Sequence, residues 1–212
     1  DITPTTGTSV TVTGTNSTPT SYTATSTNAG CSSSATVNVT VNPKPAGATI
    51  NVDNTTVCQN GTAPVVTFSA NVGTGPYTFT YNINGGSNQT ITTTAGANPR
   101  SVTLSVPTGT PGTYVYTITA ISDIYCSNTA TGSVTVTVNA TTPVDFTGLP
   151  ASICADAAAV TLTPDVPGGT FSGTGVSGST FDPAVAGVGG PYTITYTYTN
   201  GSGCTTTATH TV

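Results

Sequence analysis

Thr113-Tyr114-Val115-Tyr116-Thr117-Ile118-Thr119 sets Tyr114, Tyr116 and Ile118 on one side of an extended chain and the threonines on the other. Cys126 follows, and then Val134-Thr135-Val136-Thr137-Val138-Asn139 alternates in the same way. A period of two is the signature of a half-buried strand. The stretch therefore reads as two strands joined by a turn that carries a cysteine. Thr is β-branched, favours the pleated backbone, and wets the outer face without charge.

The same ending occurs twice more. Ser21-Tyr22-Thr23-Ala24-Thr25 precedes Cys31 and Ala35-Thr36-Val37-Asn38-Val39-Thr40-Val41-Asn42-Pro43. Pro191-Tyr192-Thr193-Ile194-Thr195-Tyr196-Thr197 precedes Cys204 and Thr205-Thr206-Thr207-Ala208-Thr209-His210-Thr211-Val212. Two segments also share a beginning: Thr55-Thr56-Val57-Cys58 and Ala151-Ser152-Ile153-Cys154 each lead into an alternating run. Such self-similarity marks tandem modules.

The expected boundaries fall at Pro-containing linkers, which lack backbone donors and are stiff. Residues 1–43 read as the C-terminal part of a truncated immunoglobulin-like module, 46–139 as a complete one, and 143–212 as one whose last strand is cut. In the middle module the pattern predicts strands at 48–52, 64–72, 76–83, 87–94, 101–106, 112–121 and 130–138, with Asn84-Gly85-Gly86 as a hairpin turn. Seven short strands match an immunoglobulin-like β-sandwich. The last module is expected to hold six or seven. The pattern begins and ends mid-strand, so a longer parent protein is expected.

Composition narrows the function. Of 212 residues only nine are charged, two basic and seven acidic, with no Met or Trp, while 53 are Thr. Charged content of 4% stands against ~25% in an average soluble domain. A net charge of −5 with two basic side chains does not suit nucleic acid. Acid–base catalysis needs titratable groups that are scarce here. A triad could be written around His210, but it occupies a strand position matched by Thr40 and Val136, so no catalytic residue is assigned. No segment is long and apolar enough to insert in a membrane.

Five cysteines and one histidine lack metal-ligand or C-x-x-C spacing, so no cofactor or metal is expected and the cysteines read as structural disulfides in an oxidising, extracellular setting. The repeat pairs Cys58 with Cys126 and Cys154 with Cys204, leaving Cys31 unpaired within the sequence. The rival bridges cross the junctions, Cys31 to Cys58 and Cys126 to Cys154. They would require ten residues of strand, ~33 Å, to double back. One tension remains: at the end of an ordinary first strand, Cys58 would face the pole opposite the Cys126 turn. We expect the chain to have come back towards its starting pole there.

Other candidates read as structure. Tyr77, Phe79 and Tyr81, and Tyr192, Ile194, Tyr196 and Tyr198, could form sugar-stacking platforms, but a core without Trp needs these rings. Asp53, Asp123 and Asp145 lack the clustering that calcium needs and read as turn caps. Asn-x-Ser/Thr at Asn16, Asn38, Asn54, Asn60, Asn88, Asn139 and Asn200 follows from Thr abundance.

Cys154 before an alternating strand, Gly-Pro-Tyr-Thr-Ile-Thr-Tyr (190–196), Gly203-Cys204 and the final Thr strand resemble the immunoglobulin-like and PKD-like repeats of very large Bacteroidetes surface proteins. These include gliding-motility adhesins and other type IX secretion cargo. The endings 31–43 and 126–143 resemble them too. The resemblance implies a stalk of tandem sandwiches. The expected function is a structural segment of an extracellular stalk, adhesin or filament, partnered by flanking modules. The alternatives are a module binding surface glycans, and a fibre subunit in which a strand from an identical chain completes the first module.

Overall fold

The computed structural model describes residues 19–94 and 100–212. The protein is all-β, and no helix among the described residues is long and apolar enough to cross a membrane. The strands in chain order begin with β1 Thr20–Asn28, β2 Cys31–Val39, β3 Thr49–Val52, β4 Thr56–Cys58, β5 Val65–Ser69 and β6 Thr78–Ile83. Next come β7 Gln89–Thr92, β8 Ser101–Ser105, β9 Gly112–Ser122, β10 Ser127–Thr129 and β11 Ser133–Asn139. The remaining strands are short: β12 Phe146–Thr147, β13 Val160–Thr161, β14 Thr163–Pro164, β15 Thr170–Ser172, β16 Val176–Ser177 and β17 Thr180–Phe181. A helical turn, α1 Pro183–Ala186, precedes β18 Thr193–Thr199 and β19 Thr205–Thr211. Strand order is β4-β11-β9-β6-β7 in the largest sheet, with β10 also on β9, and β3-β5-β8 in a second. The others are β1-β2, β12-β14, β13-β17-β16 and β15-β18-β19.

The chain divides into two compact units. The first comprises Asp1–Asn51, Val66–Leu104 and Val115–Val134. Its core is aromatic. Phe68 on β5 packs against Phe79 and Tyr81 on β6 with ring centroids 5.8 and 5.1 Å apart, so the two sheets meet face to face. Tyr81 stacks on Tyr116 at 6.4 Å. Val66, Tyr77, Ile118 and Ile121 are buried beside them. Each large side chain removed from water contributes ~1.5–3 kcal/mol, which matters in a chain with three leucines. Asn84 and Gly85 take φ of +53° and +71°, the left-handed pair that a tight hairpin between β6 and β7 demands. Gly85 meets this without a Cβ penalty. The β1–β2 hairpin pairs from Thr20↔Val39 to Asn28↔Cys31 and is exposed over nearly all of its length. It matches the expected two-strand ending with Cys31 at the turn.

The second unit comprises Val52–Val65, Ser105–Tyr114 and Thr135–Val212. Phe146, Leu162, Phe181, Ile194 and Tyr196 form its core, with Ile153, Phe171, Tyr192 and Val212 packed around them. Residues 143–212 hold eight short strands rather than six or seven. Glycine and proline interrupt the ladders so often that many are two or three residues long. Strand β18 keeps the long alternating form, with Ile194 and Tyr196 buried and β19 paired along its whole length. Thr199 and Thr205 hydroxyls meet at 2.9 Å on the outer face, as Thr78 and Thr92 do on β6 and β7.

Strand β4 was not expected as a strand. It lies parallel to β11 with Thr137↔Thr56, Val138↔Val57 and Asn139↔Cys58 in register. The ladder continues when Gln59 N–H donates to the Asn139 carbonyl at 2.8 Å. Cys58 therefore sits level with the last residue of β11, where the chain leaves for the linker.

Candidate functional site

The chemistry of this chain is concentrated in its cysteines. Cys58 is disulfide-bonded to Cys204, with Cα atoms 5.5 Å apart and a separation of 146 positions in sequence. Two turns hold the sulfurs. After β4 the Gly61 N–H donates to the Cys58 carbonyl at 2.9 Å, and the Gln59 side chain donates to the Gly109 carbonyl at 2.9 Å. Between β18 and β19 the Asn200 carboxamide accepts from the N–H groups of Ser202 and Cys204, both at 3.0 Å. Its NH2 donates to the Ala140 carbonyl at 2.9 Å. Cys204 is fully buried, and its Sγ lies 4.0 Å from the Asn139 carbonyl oxygen.

This pairing corrects the expected one. Cys58 is not bonded to Cys126, nor Cys154 to Cys204; Cys31, Cys126 and Cys154 are free thiols. The reason lies in β4. Cys58 is level with Asn139 at the end of β11, the stretch whose Asn139 and Ala140 carbonyls the Cys204 turn also engages, whereas Cys126 closes the turn before β10. A disulfide needs Cα atoms within ~7 Å. The rival bridges, Cys31 to Cys58 and Cys126 to Cys154, are absent too. The real bond joins the early cysteine of one repeat to the late cysteine of the following one. Only the position of the three-residue β4 could have revealed it.

Cys126 repeats the surroundings of Cys204. Asp123 takes the place of Asn200: its Oδ1 accepts from Tyr125 and Cys126 N–H at 2.9 and 2.7 Å, and its own N–H donates to the Cys126 carbonyl at 2.9 Å. Asp123 Oδ2 accepts from Thr74 N–H at 3.0 Å. Burial pushes this carboxyl up, but the N–H groups of Thr74, Cys126 and Tyr125 outweigh that and hold it below the usual range. The half-buried Cys126 Sγ is 3.8 Å from the Asn42 carbonyl oxygen. Asn42 ends its repeat as Asn139 ends the next.

The other carboxylates also serve the backbone. Asp53 Oδ1 accepts from Val65 N–H at 2.8 Å. Asp145 Oδ1 accepts from Phe146 N–H at 2.8 Å and pairs with His210 Nε2 at 2.7 Å. The histidine contact, with Phe146 N–H behind it, lowers the Asp145 carboxyl. The His210 ring also stands edge-on to Phe146 at 4.6 Å, so the pair ties β19 to β12. Tyr77, Phe79 and Tyr81 are buried, which leaves no sugar platform on that strand. Burial raises the Tyr81 phenol, which donates to Gln89 Oε1 at 3.1 Å. Tyr196 is buried, and Tyr192 and Tyr198 are partly so. Asn16 lies outside the described residues.

No protein-family model and no curated protein matches the chain. Among solved structures it is similar to one described as a Ca2+-stabilized adhesin that helps an Antarctic bacterium reach out and bind ice. The identity is 18% and the TM-score 0.39, over 90% of this chain and 55% of that one. The chain thus spans about half the length of that protein.

Proposed function

We propose that the chain is a stretch of tandem immunoglobulin-like modules in an extracellular stalk or adhesin, whose work is to span distance and carry load. The observation that carries this is the Cys58–Cys204 bond, which ties one repeat to the next across 146 residues. A bond of that reach stops two consecutive repeats from unravelling one at a time. It belongs to an oxidising compartment, outside the cell or on its surface. The outer faces suit the same setting. Paired threonine hydroxyls stand there where ion pairs would otherwise, so salt has little to screen on those faces.

The reading assigns the segment no catalysis and no ligand of its own; binding belongs to a distal part of the parent. Intact mass of the native polypeptide from its source, with disulfide mapping, tests it. A mass several times 20.8 kDa is expected, with early-to-late cysteine bonds repeated along the array. A single-repeat protein, or bonds closed inside each repeat, would overturn it.

A further inference from the structure

We propose that the Thr40–Asn42 edge and the Cys126 turn form a strand-docking site with a covalent latch, which takes the early-cysteine strand of the repeat that ends at Asn42, a segment of the same parent polypeptide. The proposal rests on the tandem reading above and names what guides an early cysteine to its partner.

The filled copy of this site surrounds the Cys58–Cys204 bond. There the edge of β11 takes β4 in parallel, with Asn139 level with Cys58. Thr137 N–H donates to the Thr55 carbonyl and Gln59 N–H to the Asn139 carbonyl, both at 2.8 Å. The ladder delivers the Cys58 sulfur to Cys204, whose Sγ lies 4.0 Å from the Asn139 carbonyl oxygen. Backbone hydrogen bonds set the register, as in strand addition to a sheet edge, and the disulfide locks it.

The other copy is built on one side and open on the other. Asn42 matches Asn139 at the end of its repeat, and the Cys126 Sγ lies 3.8 Å from the Asn42 carbonyl oxygen. Asp123 N–H donates to the Cys126 carbonyl at 2.9 Å, as Asn200 N–H does to the Cys204 carbonyl at 3.0 Å. A side-chain amide holds the linker in both copies: Asn128 donates to the Pro45 carbonyl at 3.1 Å, and Asn200 to the Ala140 carbonyl at 2.9 Å. Strand β11 runs on to Asn139, but β2 stops at Val39, which matches Val136. Among the described residues no strand pairs with Thr40, Val41 or Asn42, and the Asn42 carbonyl meets only the weak Cys126 S–H donor. Thr40 is exposed and Val41 and Asn42 are half-buried, so the edge is accessible.

The register identifies the occupant. A Thr-Val-Cys or Ser-Ile-Cys strand laid on this edge as β4 lies on β11 puts its cysteine level with Asn42, beside Cys126. Both forms occur in the chain, at Thr56–Cys58 and Ser152–Cys154. In the filled copy β4 and β11 belong to a single repeat, 46–139. The strand that fits the Asn42 edge is therefore the early strand of the repeat that Asn42 closes. It arrives tethered, at high effective concentration.

The latch closes by thiol–disulfide exchange. Cys126, as thiolate, attacks the sulfur of an early cysteine held as a mixed disulfide with a small thiol such as glutathione. The new S–S bond forms as the old one breaks. Glutathione leaves as thiolate and takes up the proton that Cys126 gave away, so the step involves no net oxidation.

The test offers the full 212-residue chain a peptide of residues 54–61, Asn-Thr-Thr-Val-Cys-Gln-Asn-Gly, as its glutathione mixed disulfide, and maps where the peptide couples. Oxidised glutathione alone should favour the exposed Cys31 and Cys154 over the half-buried Cys126. The peptide should reverse that order and favour Cys126 over Cys31 about tenfold at equilibrium, the worth of about one to two ladder hydrogen bonds. Thr40→Pro in the chain and Gln59→Pro in the peptide each remove one N–H of the ladder, and each should erase most of the preference with Cys58–Cys204 retained. Thr40 lies beyond β2, so its replacement leaves the β1–β2 hairpin paired. Coupling that follows exposure, or a preference that survives both prolines, would overturn the proposal. Chains joined to one another through Cys126 in preference to the peptide would overturn its assignment to a strand of the parent. If Cys58–Cys204 is missing from the map of the untreated chain, the tandem reading falls; if it is present without a preference for Cys126, the docking alone falls.

Discussion

Pulling on the two ends of the oxidised chain should extend only the residues outside the Cys58–Cys204 loop. The bond shields 146 residues from force. At roughly 3.4 Å per residue, reduction should release about 500 Å of hidden length. Bridges from Cys58 to Cys126 and from Cys154 to Cys204 would instead hide about 400 Å in two pieces, with the junction between them free to extend. The two outcomes are far enough apart for single-molecule force spectroscopy with and without reductant. The same bond should dominate equilibrium stability. In the chain-entropy model a loop of this size contributes about 5 kcal/mol, comparable to the ~5–15 kcal/mol that holds a domain folded. Cys58→Ser should therefore lower the urea midpoint as much as reduction does, and reduction should add nothing to the variant. An oxidised chain that extends to its full length, about 700 Å, or a released length near 400 Å, would refute the reasoning.

Asp123→Asn tests the turn that presents Cys126. The folded carboxyl titrates below its usual range, so its contribution is complete above ~pH 4 and lost as pH falls through the lowered folded value. Urea midpoints between pH 7 and 2.5 should decline less steeply in the variant, which has already lost that share at neutral pH; parallel acid limbs would contradict this. Tyr196→Phe tests the second unit's core. The Tyr196 hydroxyl donates to the Val166 carbonyl at 2.6 Å and accepts from Gly169 N–H at 2.8 Å. Removing it leaves both groups without that partner and should cost about 1–3 kcal/mol; a midpoint unchanged from wild type would show that water takes over both bonds.

The sequence was most legible where the signal is periodic. The predicted strand 76–83 is β6 at Thr78–Ile83, 101–106 is β8 at Ser101–Ser105, and 112–121 is β9 at Gly112–Ser122. Alternation over five or more residues announces both the strand and its buried face, so Tyr77, Phe79 and Tyr81 were assigned correctly to the core. Asn84-Gly85 announced its turn because few other residues tolerate that backbone. β4 was illegible for the opposite reason. Three residues carry no period, and their parallel partners on β11 lie 81 positions further along the chain, so no local pattern encodes the ladder. The cysteine connectivity depended on that ladder and was lost with it. Five cysteines at repeat spacing show that bonds recur but not which repeat each bond reaches. The mismatch between the pole of Cys58 and the pole of Cys126 was visible in the sequence. A bend in the chain is the answer local sequence suggests, whereas the structure changes the partner.

That change alters what the scarcity of charge means. Across an average surface, ion pairs and long charged side chains help two neighbouring modules hold an orientation. Here the groups at this junction are amides, hydroxyls and sulfur: Asn200 on the Ala140 carbonyl, Thr141 on Gln59 at 3.4 Å, and the bridge itself. Such a junction has nothing for salt to screen and little for pH to titrate above the carboxylate range. Its integrity is instead governed by redox state, since one covalent bond outweighs several neutral hydrogen bonds of ~1 kcal/mol each. On the proposed tandem reading the same logic applies wherever the cysteine pattern recurs, so that redox state, more than salt, governs each junction.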